Sequence, residues 1–185
     1  MGSPPVPRPP GDSLAGPGRG FSLEPMDGNA PVDFTIVIDT REQQPYGFGC
    51  AAVRRTLDAG DYSVAGCESQ IAVERKSLPD FVRTVIHEPR RFRVELEKVS
   101  AFALACIVVE ADLDAVLRGL RRPDLRAVTP NAVLGAALHI AVRYRVPVYW
   151  CGSRQAAYAF TEAFLRMAVR EGEVSPTRTR EAGHA

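Results

Sequence analysis

Histidine, tryptophan and lysine are scarce in this chain of 185 residues, which contains three histidines, one tryptophan and only two lysines. The four cysteines stand far apart, and no two of them have the CxxC spacing. Because histidine is rare and the cysteines are not clustered, the sequence lacks the ligands of a structural zinc site. We expect all four cysteines to be reduced thiols in a cytosolic protein.

Long apolar segments are also missing. The longest apolar run, residues 101–111, is interrupted by Glu110 and is too short to cross a bilayer. The N-terminus shows no apolar core of a signal peptide. We therefore expect a cytoplasmic protein with no membrane association, nucleoid-associated if its source is bacterial.

The formal net charge is only +1, so composition alone does not indicate a nucleic-acid binder, although the local distribution of charge matters more than its sum. Among the 23 basic residues, Lys76 and Lys98 are the two lysines. A lysine can shift its pKa and act as a compact point charge, which an arginine does poorly. Lys76 within the sequence VERKS is therefore a candidate for a chemical role.

Composition divides the chain into three parts. Residues 1–31 are rich in proline, glycine and serine, can bury little apolar surface, and are expected to be disordered. We expect the same of the tail, residues 172–185. Residues 32–171 remain as one folded domain of ordinary size.

Hydrophobic periodicity within the folded part alternates between strand and helix patterns. Strands are predicted at 33–39, 51–57, 61–65, 71–76, 103–110 and 146–150, and helices at 77–86, 89–102, 112–120, 129–145 and 153–171. Ser77, Thr129 and Ser153 are expected to be N-caps. His139 lies on an apolar helix and is expected to be a packing residue. The order predicts an α/β fold of three layers, with a central mixed β-sheet flanked by helices.

The hairpin at 61–76 has one polar and one apolar face. If Gly66–Ser69 is the loop, Asp61 lies opposite Glu74 and Tyr62 lies opposite Val73. Alternation then gives a polar face and an apolar face. The polar face contains Asp61, Ser63, Ala65, Ala72, Glu74 and Lys76, and the apolar face contains Tyr62, Val64, Ile71 and Val73. A solvated polar face is the plain interpretation of this pattern.

Two opposed carboxylates on neighbouring strands destabilise the pairing, which favours a second interpretation. A divalent cation would relieve the repulsion, because magnesium commonly binds one or two carboxylates together with waters and phosphate. Asp39 ends a neighbouring strand and could converge on the same place. Lys76 could position or deprotonate a water, or neutralise charge on a phosphate. This set predicts metal-assisted phosphodiester hydrolysis.

Three motifs, IDTRE (38–42), GDYSV (60–64) and VERKSLPD (73–80), resemble the nuclease domain of the XPF family of structure-specific endonucleases. That family belongs to the PD-(D/E)XK group, and its signature is GD, a variable gap, ERK, three residues and D. The signature is complete here and ends at Asp80. The resemblance covers residues 35–170 and implies a restriction-endonuclease-like fold.

The resemblance implies a role for each matching position. Asp61 and Glu74 would hold Mg²⁺ or Mn²⁺ together with the backbone carbonyl of Arg75, and Lys76 would be the catalytic lysine. Four residues would support the site, namely Arg41, Glu42, Arg75 and Asp80, and Asp39 would join them as a catalytic and metal-binding carboxylate. The side chain of Arg75 should point to the opposite face, with Asp80 or Glu42 as its partner. A scaffold of ion pairs without chemistry remains the alternative for the four supporting residues.

DNA is the expected substrate, contacted through arginines that can pair with phosphates. These predicted DNA contacts are Arg54, Arg55, Arg83, Arg90 and Arg91. Family members usually carry a helix-hairpin-helix module that this sequence does not show, so branch recognition would come from the nuclease domain, from a homodimer through the C-terminal helices, or from a partner protein. The prediction is a metal-dependent DNA endonuclease acting on branched or junction-containing DNA.

Two rival hypotheses stay open. One is a non-catalytic subunit that keeps the nuclease fold for DNA binding or dimerisation. The other is an α/β domain that binds a small phosphorylated ligand, which the absence of a glycine-rich phosphate loop after a strand disfavours.

Overall fold

The structure is a computed structural model that describes residues 34–118 and 128–175, all within one compact unit, Val32–Ala185. The predicted disordered segment 1–31 and the end of the predicted tail lie outside the described residues. Five α-helices and six strands are present in the described ranges. The strands are β1 (Ile36–Asp39), β2 (Ala52–Arg55), β3 (Tyr62–Val64), β4 (Ile71–Lys76), β5 (Leu104–Val109) and β6 (Val148–Trp150). The helices are α1 (Leu78–Val82), α2 (Pro89–Val99), α3 (Leu113–Leu117), α4 (Pro130–His139) and α5 (Arg154–Arg170).

All six strands join one mixed sheet in the order β2-β1-β3-β4-β5-β6. Strand β3 runs antiparallel to both of its neighbours, while the other adjacent pairs are parallel. Tyr62 lies opposite Val73, which confirms the predicted register of the hairpin. Strand β5 is interior and largely buried, as its continuous apolar run predicts.

Each face of the sheet is covered by its own apolar cluster, so the predicted three layers are confirmed. One cluster joins Ile38, Tyr62 and Val73 to helix α5 through Leu165. The other joins Ile107 and Val109 to the helices of the opposite layer. Alternation along the strands separates the two sets, because successive side chains point to opposite faces.

Helix starts follow the predicted capping residues. The side chains of Ser77, Thr129 and Ser153 accept hydrogen bonds from backbone amides in the first turns of α1, α4 and α5. Both α1 and α4 continue into a π-helical turn, at Arg83–His87 and Ile140–Tyr144, which the sequence did not predict. In a correction to the packing prediction, His139 is exposed.

The described part of the chain continues four residues beyond the predicted boundary at 171, and these residues pack on the domain. Val174 is only 2% exposed and packs in the cluster under α5. Gln70 exchanges two hydrogen bonds with the backbone of Ser175, which ties this segment to the start of β4. Burial of one valine and two side chain–backbone bonds therefore overrides the polar composition of the segment. In the described ranges, no helix combines the length and apolar character required to span a membrane.

Candidate active site

A cleft of about 540 Å³ lies between the polar face of β1, β3 and β4 and the side of helix α2. Its sheet side contains Asp39, Asp61, Glu74 and Lys76, so the four predicted catalytic residues share one cavity. Its helix side includes Arg91, Phe92, Glu95 and Lys98. The predicted polar face of the hairpin therefore borders a cavity and is partly shielded from solvent.

Backbone geometry fixes the position of Asp61. Its amide donates to the carbonyl of Val73 at 2.9 Å, and its carbonyl accepts from the amide of Asp39 at 2.8 Å. The preceding residue, Gly60, has a φ of +77°, and a Cβ there would lie 3.0 Å from the Cβ of Ala72. Glycine meets both requirements, since it adopts positive φ readily and has no Cβ. The GD motif thus places the carboxylate beside β4.

Electrostatic stress is concentrated on Asp61. Burial and the charge of Glu74 raise the pKa of Asp61 well above its usual range, although an N–H bond from Arg75 acts in the opposite direction. That backbone amide donates to Oδ2 of Asp61 at 2.7 Å. The raised pKa is the physical expression of two carboxylates brought together in a poorly hydrated place.

Lys76 compensates part of this charge. Its Nζ lies 2.7 Å from Oε1 of Glu74 and 5.7 Å from the centre of the Phe92 ring. Burial opposes the charged form, but the ion pair and hydrogen bond with Glu74 outweigh it and raise the pKa of Lys76. The lysine is therefore held as a cation against the paired acids.

Both carboxylate oxygens of Asp39 have donors of their own. Its Oδ1 accepts bonds of 2.7 Å from both the amide and Nε of Arg41, and its Oδ2 accepts from Arg41 and from the amide of Leu57. Burial raises the pKa of Asp39, but these donors outweigh it and lower the pKa. The structure therefore does not bring the predicted third carboxylate into the acid pair, because both oxygens are already occupied.

Asp61 and Glu74 fit a divalent cation that takes few of its ligands from the protein. Arg75 occupies one oxygen of Asp61 and Lys76 one oxygen of Glu74, so each carboxylate keeps an oxygen with no donor among the described residues. Across residues 34–118 and 128–175, no group of three or more His, Cys, Asp or Glu side chains is placed to hold a metal. Two carboxylates with water and substrate oxygens are the usual protein ligands of Mg²⁺. The relief of repulsion at Asp61 favours a cation here.

On the opposite face of β4, the Arg75 side chain enters a satisfied ion-pair network. Its guanidinium donates to both oxygens of Glu110 at 2.8 and 3.1 Å and reaches Glu42 at 3.4 Å. Glu42 was one of two predicted partners, whereas Asp80 instead accepts from Ser77 and from Arg83. Glu110 was missed as the main partner, and its one sequence signal is a charge that ends a buried apolar strand.

Arg154 of α5 closes this network from the other side. It donates to Glu110 at 2.9 Å and lies 4.9 Å from the ring centre of Tyr46. Tyr46 also donates to Glu110 at 3.1 Å. Burial raises the pKa of Glu110, but Arg75, Tyr46 and Arg154 together lower it. The network fixes β4 at Arg75, whose backbone amide bonds to Asp61.

Comparison with known proteins shows the family to which the chain belongs. The profile of the ERCC4 domain matches residues 38–164, which is more than half of the chain. The chain belongs to the ERCC4 domain family. This confirms the family resemblance drawn from the three motifs, and the matched range contains every predicted site residue.

Solved structures similar to this ERCC4 domain include XPF from Aeropyrum pernix, at 20% identity and a TM-score of 0.59. A second structure of XPF from Aeropyrum pernix, in complex with DNA, matches at 19% identity and a TM-score of 0.57. The matches cover 74% and 75% of this chain, and the chain spans 65% and 66% of those structures. No curated protein matches the chain. The similarity establishes the fold.

The predicted DNA-contacting arginines of this ERCC4 domain lie in different environments. Arg91 lines the cleft, and Arg83 lines an adjoining cavity while pairing with Asp80 at 2.6 Å. Arg90 is exposed on α2. The other two lie on edge strand β2, where Arg54 donates to the carbonyl of Glu42 and Arg55 donates to Glu68.

Two cations at the cleft were not predicted as DNA contacts. Lys98 lines it from α2, about two turns beyond Arg91 on the same side of the helix. Arg41 also lines it, and its side chain is 66% exposed despite its bonds to Asp39. The spacing of seven residues on an amphipathic helix could have indicated that Lys98 lies on the same side of α2 as Arg91.

Proposed function

We propose that this ERCC4 domain is a metal-dependent DNA endonuclease that hydrolyses phosphodiester bonds in branched or junction-containing DNA during repair or recombination. The observation that carries the proposal is the pairing of Asp61 with Glu74 in a cleft where Lys76 contacts Glu74. Burial and the neighbouring charge of Glu74 raise the pKa of Asp61, and a Mg²⁺ or Mn²⁺ ion would offset both effects.

The residues of the chain divide the work. Asp61, Glu74 and the carbonyl of Arg75 would hold the cation, which when bound supplies electrophilic polarisation of a phosphate and activation of water. Lys76, already 2.7 Å from Glu74, would orient the attacking water and offset charge on the phosphate. Arg75 keeps β4 in place through its bonds to Glu110. Asp39 holds Arg41 at the mouth of the cleft.

The cationic rim supports DNA as the substrate. Arg41, Arg91 and Lys98 lie around the acid pair, where phosphates on either side of the cleaved bond would pass. Exposed arginines suit this task because their planar guanidinium groups bind phosphate oxygens in pairs. One of the similar structures, XPF from Aeropyrum pernix, is a complex with DNA, which supports the same substrate class.

The predicted homodimer and the predicted partner protein remain proposals. Exposed apolar side chains at the end of α4 and the turn after it, Leu138 and Val142, support a protein contact there. Sedimentation of the purified protein would test the homodimer.

The central test is cleavage of end-labelled DNA by the purified protein. Duplex, single-stranded, flap and fork substrates are incubated with Mg²⁺, with Mn²⁺ or with EDTA. We expect cleavage at the branch that requires the metal, and loss of cleavage in both Asp61→Asn and Lys76→Ala. Calorimetric titration with Mn²⁺ should show a site in the wild-type protein that Asp61→Asn weakens.

Asp114→Asn is the matched control, since it removes a carboxylate on α3 that pairs only with Arg118 among the described residues. It should cut like the wild type. DNA binding without cutting under every metal condition would instead indicate the non-catalytic subunit. Cutting that survives Asp61→Asn would overturn the assigned site.

A further inference from the structure

A second groove, of about 510 Å³, lies on the opposite flank of helix α2 from the catalytic cleft. Arg93 contributes from α2, and His139, Arg143, Tyr144 and Arg145 contribute from the end of α4 and the turn that follows it. We call this the basic groove. Glu97 is the one carboxylate in its lining.

The arginines of the basic groove have no ion-pair partners in the described part of the chain. Arg93, Arg143 and Arg145 are exposed, and no carboxylate of the described residues lies within 4.0 Å of their guanidinium groups. Most other cations near the cleft are paired, as Arg83 is with Asp80. Three unpaired guanidinium groups around one groove create a local positive potential that favours an anion.

The backbone conformation of Arg145 also supports an anion site. It has a φ of +58°, the only positive φ at a non-glycine residue in the described ranges. Glycine is the usual residue where a helix ends in the left-handed region. The chain places a cation there instead, next to Arg143.

Stabilisation of the helix end is the alternative explanation, because cations near a helix C-terminus interact favourably with its dipole. That effect covers His139, Arg143 and Arg145, which lie at or after the end of α4. It does not cover Arg93, which comes from a different helix and completes the groove. Convergence of two elements therefore favours a ligand.

The shape of the basic groove selects a polymer over a small anion. Its cations are exposed and spread along an open surface, whereas a site for a small anion would surround the ligand with buried donors. Tyr144 stands at 6.0 Å from the His139 ring, with Arg143 5.9 Å from the tyrosine ring centre. Planar side chains interleaved with cations are typical of surfaces that contact nucleic acid.

Helix α2 lies between the two basic surfaces. Arg91 and Lys98 line the cleft, while Arg93 lines the basic groove, and the buried residues Phe92 and Leu96 anchor the helix between them. A branched DNA has a second segment that leaves the cleavage point, and this segment needs its own phosphate contacts.

We propose that the basic groove binds the phosphate backbone of a second DNA segment, the arm or strand of a branched substrate that does not enter the cleft. The inference rests on the proposed function, since it assigns the second contact of the same substrate. It predicts that affinity for branched DNA depends on Arg143 and Arg145, whereas the chemical step does not.

The test compares Arg143→Ala/Arg145→Ala with the wild type. Fluorescence anisotropy in EDTA measures the binding of two labelled DNAs. One is a fork, and the other is a linear duplex that is too short to extend from the cleft to the basic groove. We expect about a 10-fold loss of fork affinity, with a salt dependence that falls by about two counterions. Affinity for the short duplex and the rate of cleavage at saturating fork should be unchanged.

Arg118→Ala/Arg170→Ala removes the same charge from the C-terminal ends of α3 and α5 and serves as the matched control. Equal circular dichroism and thermal unfolding exclude a folding defect, and Arg93→Ala offers an independent variant from the other helix. An equal loss of fork affinity in the matched control would contradict DNA binding by the basic groove. Fork affinity that neither groove variant changes would contradict it too, and both results would leave the proposed nuclease function standing. Failure of the wild type to bind any DNA would overturn the proposed function as well.

Discussion

The two faces of strand β4 carry charged groups of opposite character. Towards α2, Glu74 and Lys76 face Asp61, and burial together with the charge of Glu74 raises the pKa of Asp61. Towards α5, the carboxylate of Glu110 accepts bonds from Arg75 and Arg154, and its pKa is lowered. Neighbouring residues of one strand thus serve an electrostatically stressed site and a satisfied scaffold. Substitutions on the two faces should therefore have different consequences.

The largest expected effect is a loss of activity, caused by a substitution on the face of β4 that lies towards α2, which we call the stressed face. Asp61→Asn should lower the rate of DNA cleavage by about 1000-fold or more, because a cation held by one fewer charge stabilises the phosphate less. Single-turnover cleavage in Mg²⁺ measures this loss. Urea unfolding without metal should show a variant at least as stable as the wild type, and a large loss of stability would contradict the comparison.

Next in size is the loss of stability expected on the satisfied face. Glu110→Ala leaves Arg75 without its main partner, although the side chain of Arg75 is only 10% exposed. The free energy of unfolding should therefore fall by about 3 kcal/mol. Urea denaturation measures the change. Glu68→Ala, which breaks the exposed pair with Arg55, is the control and should cost less than about 1 kcal/mol.

A smaller loss of stability is expected at Gly60, where the backbone turns just before Asp61. Gly60→Ala would place a Cβ 3.0 Å from Ala72 at a φ of +77°, so we expect destabilisation by about 1 to 2 kcal/mol. Displacement of Asp61 should also reduce cleavage. Gly152→Ala has a similar φ with no atom within 4 Å of the new Cβ, and it should spare cleavage.

The smallest effect is a difference in pH dependence between the two faces. The raised pKa of Asp61 means that its contribution to stability is present at low pH and is lost as pH rises through that pKa. The lowered pKa of Glu110 has the opposite sign, because its contribution is present above the unfolded pKa and is lost as pH falls through the folded value.

Unfolding without metal at a series of pH values would measure these slopes. Asp61→Asn should remove the loss seen on raising the pH, and Glu110→Gln should remove the loss seen on lowering it. Identical slopes in the wild type and both variants would contradict the assignment of the two faces.

Local patterns accounted for much of the fold and for the acid pair. Alternation in the hairpin predicts Tyr62 opposite Val73, and serine or threonine before a helical run predicts the caps at Ser77 and Thr129. The folded domain was predicted too short at its C-terminal end, because Val174 is buried in a cluster with residues of distant strands and Ser175 bonds to Gln70, 105 positions away. The role of Glu110 was missed, since its partner Arg75 lies 35 positions away.

By itself the sequence determined the family signature, the strand register and the position of Asp61, Glu74 and Lys76 on one polar face. These follow from interactions within a few residues or across one hairpin, where spacing and alternation are sufficient. Only the tertiary structure decided that the amide of Leu57 donates to Asp39, that Glu110 and Arg154 complete the network around Arg75, and that a basic groove lies beyond α2. Those contacts join elements that the strand order brings together, and no local period of the sequence encodes which distant side chains then meet.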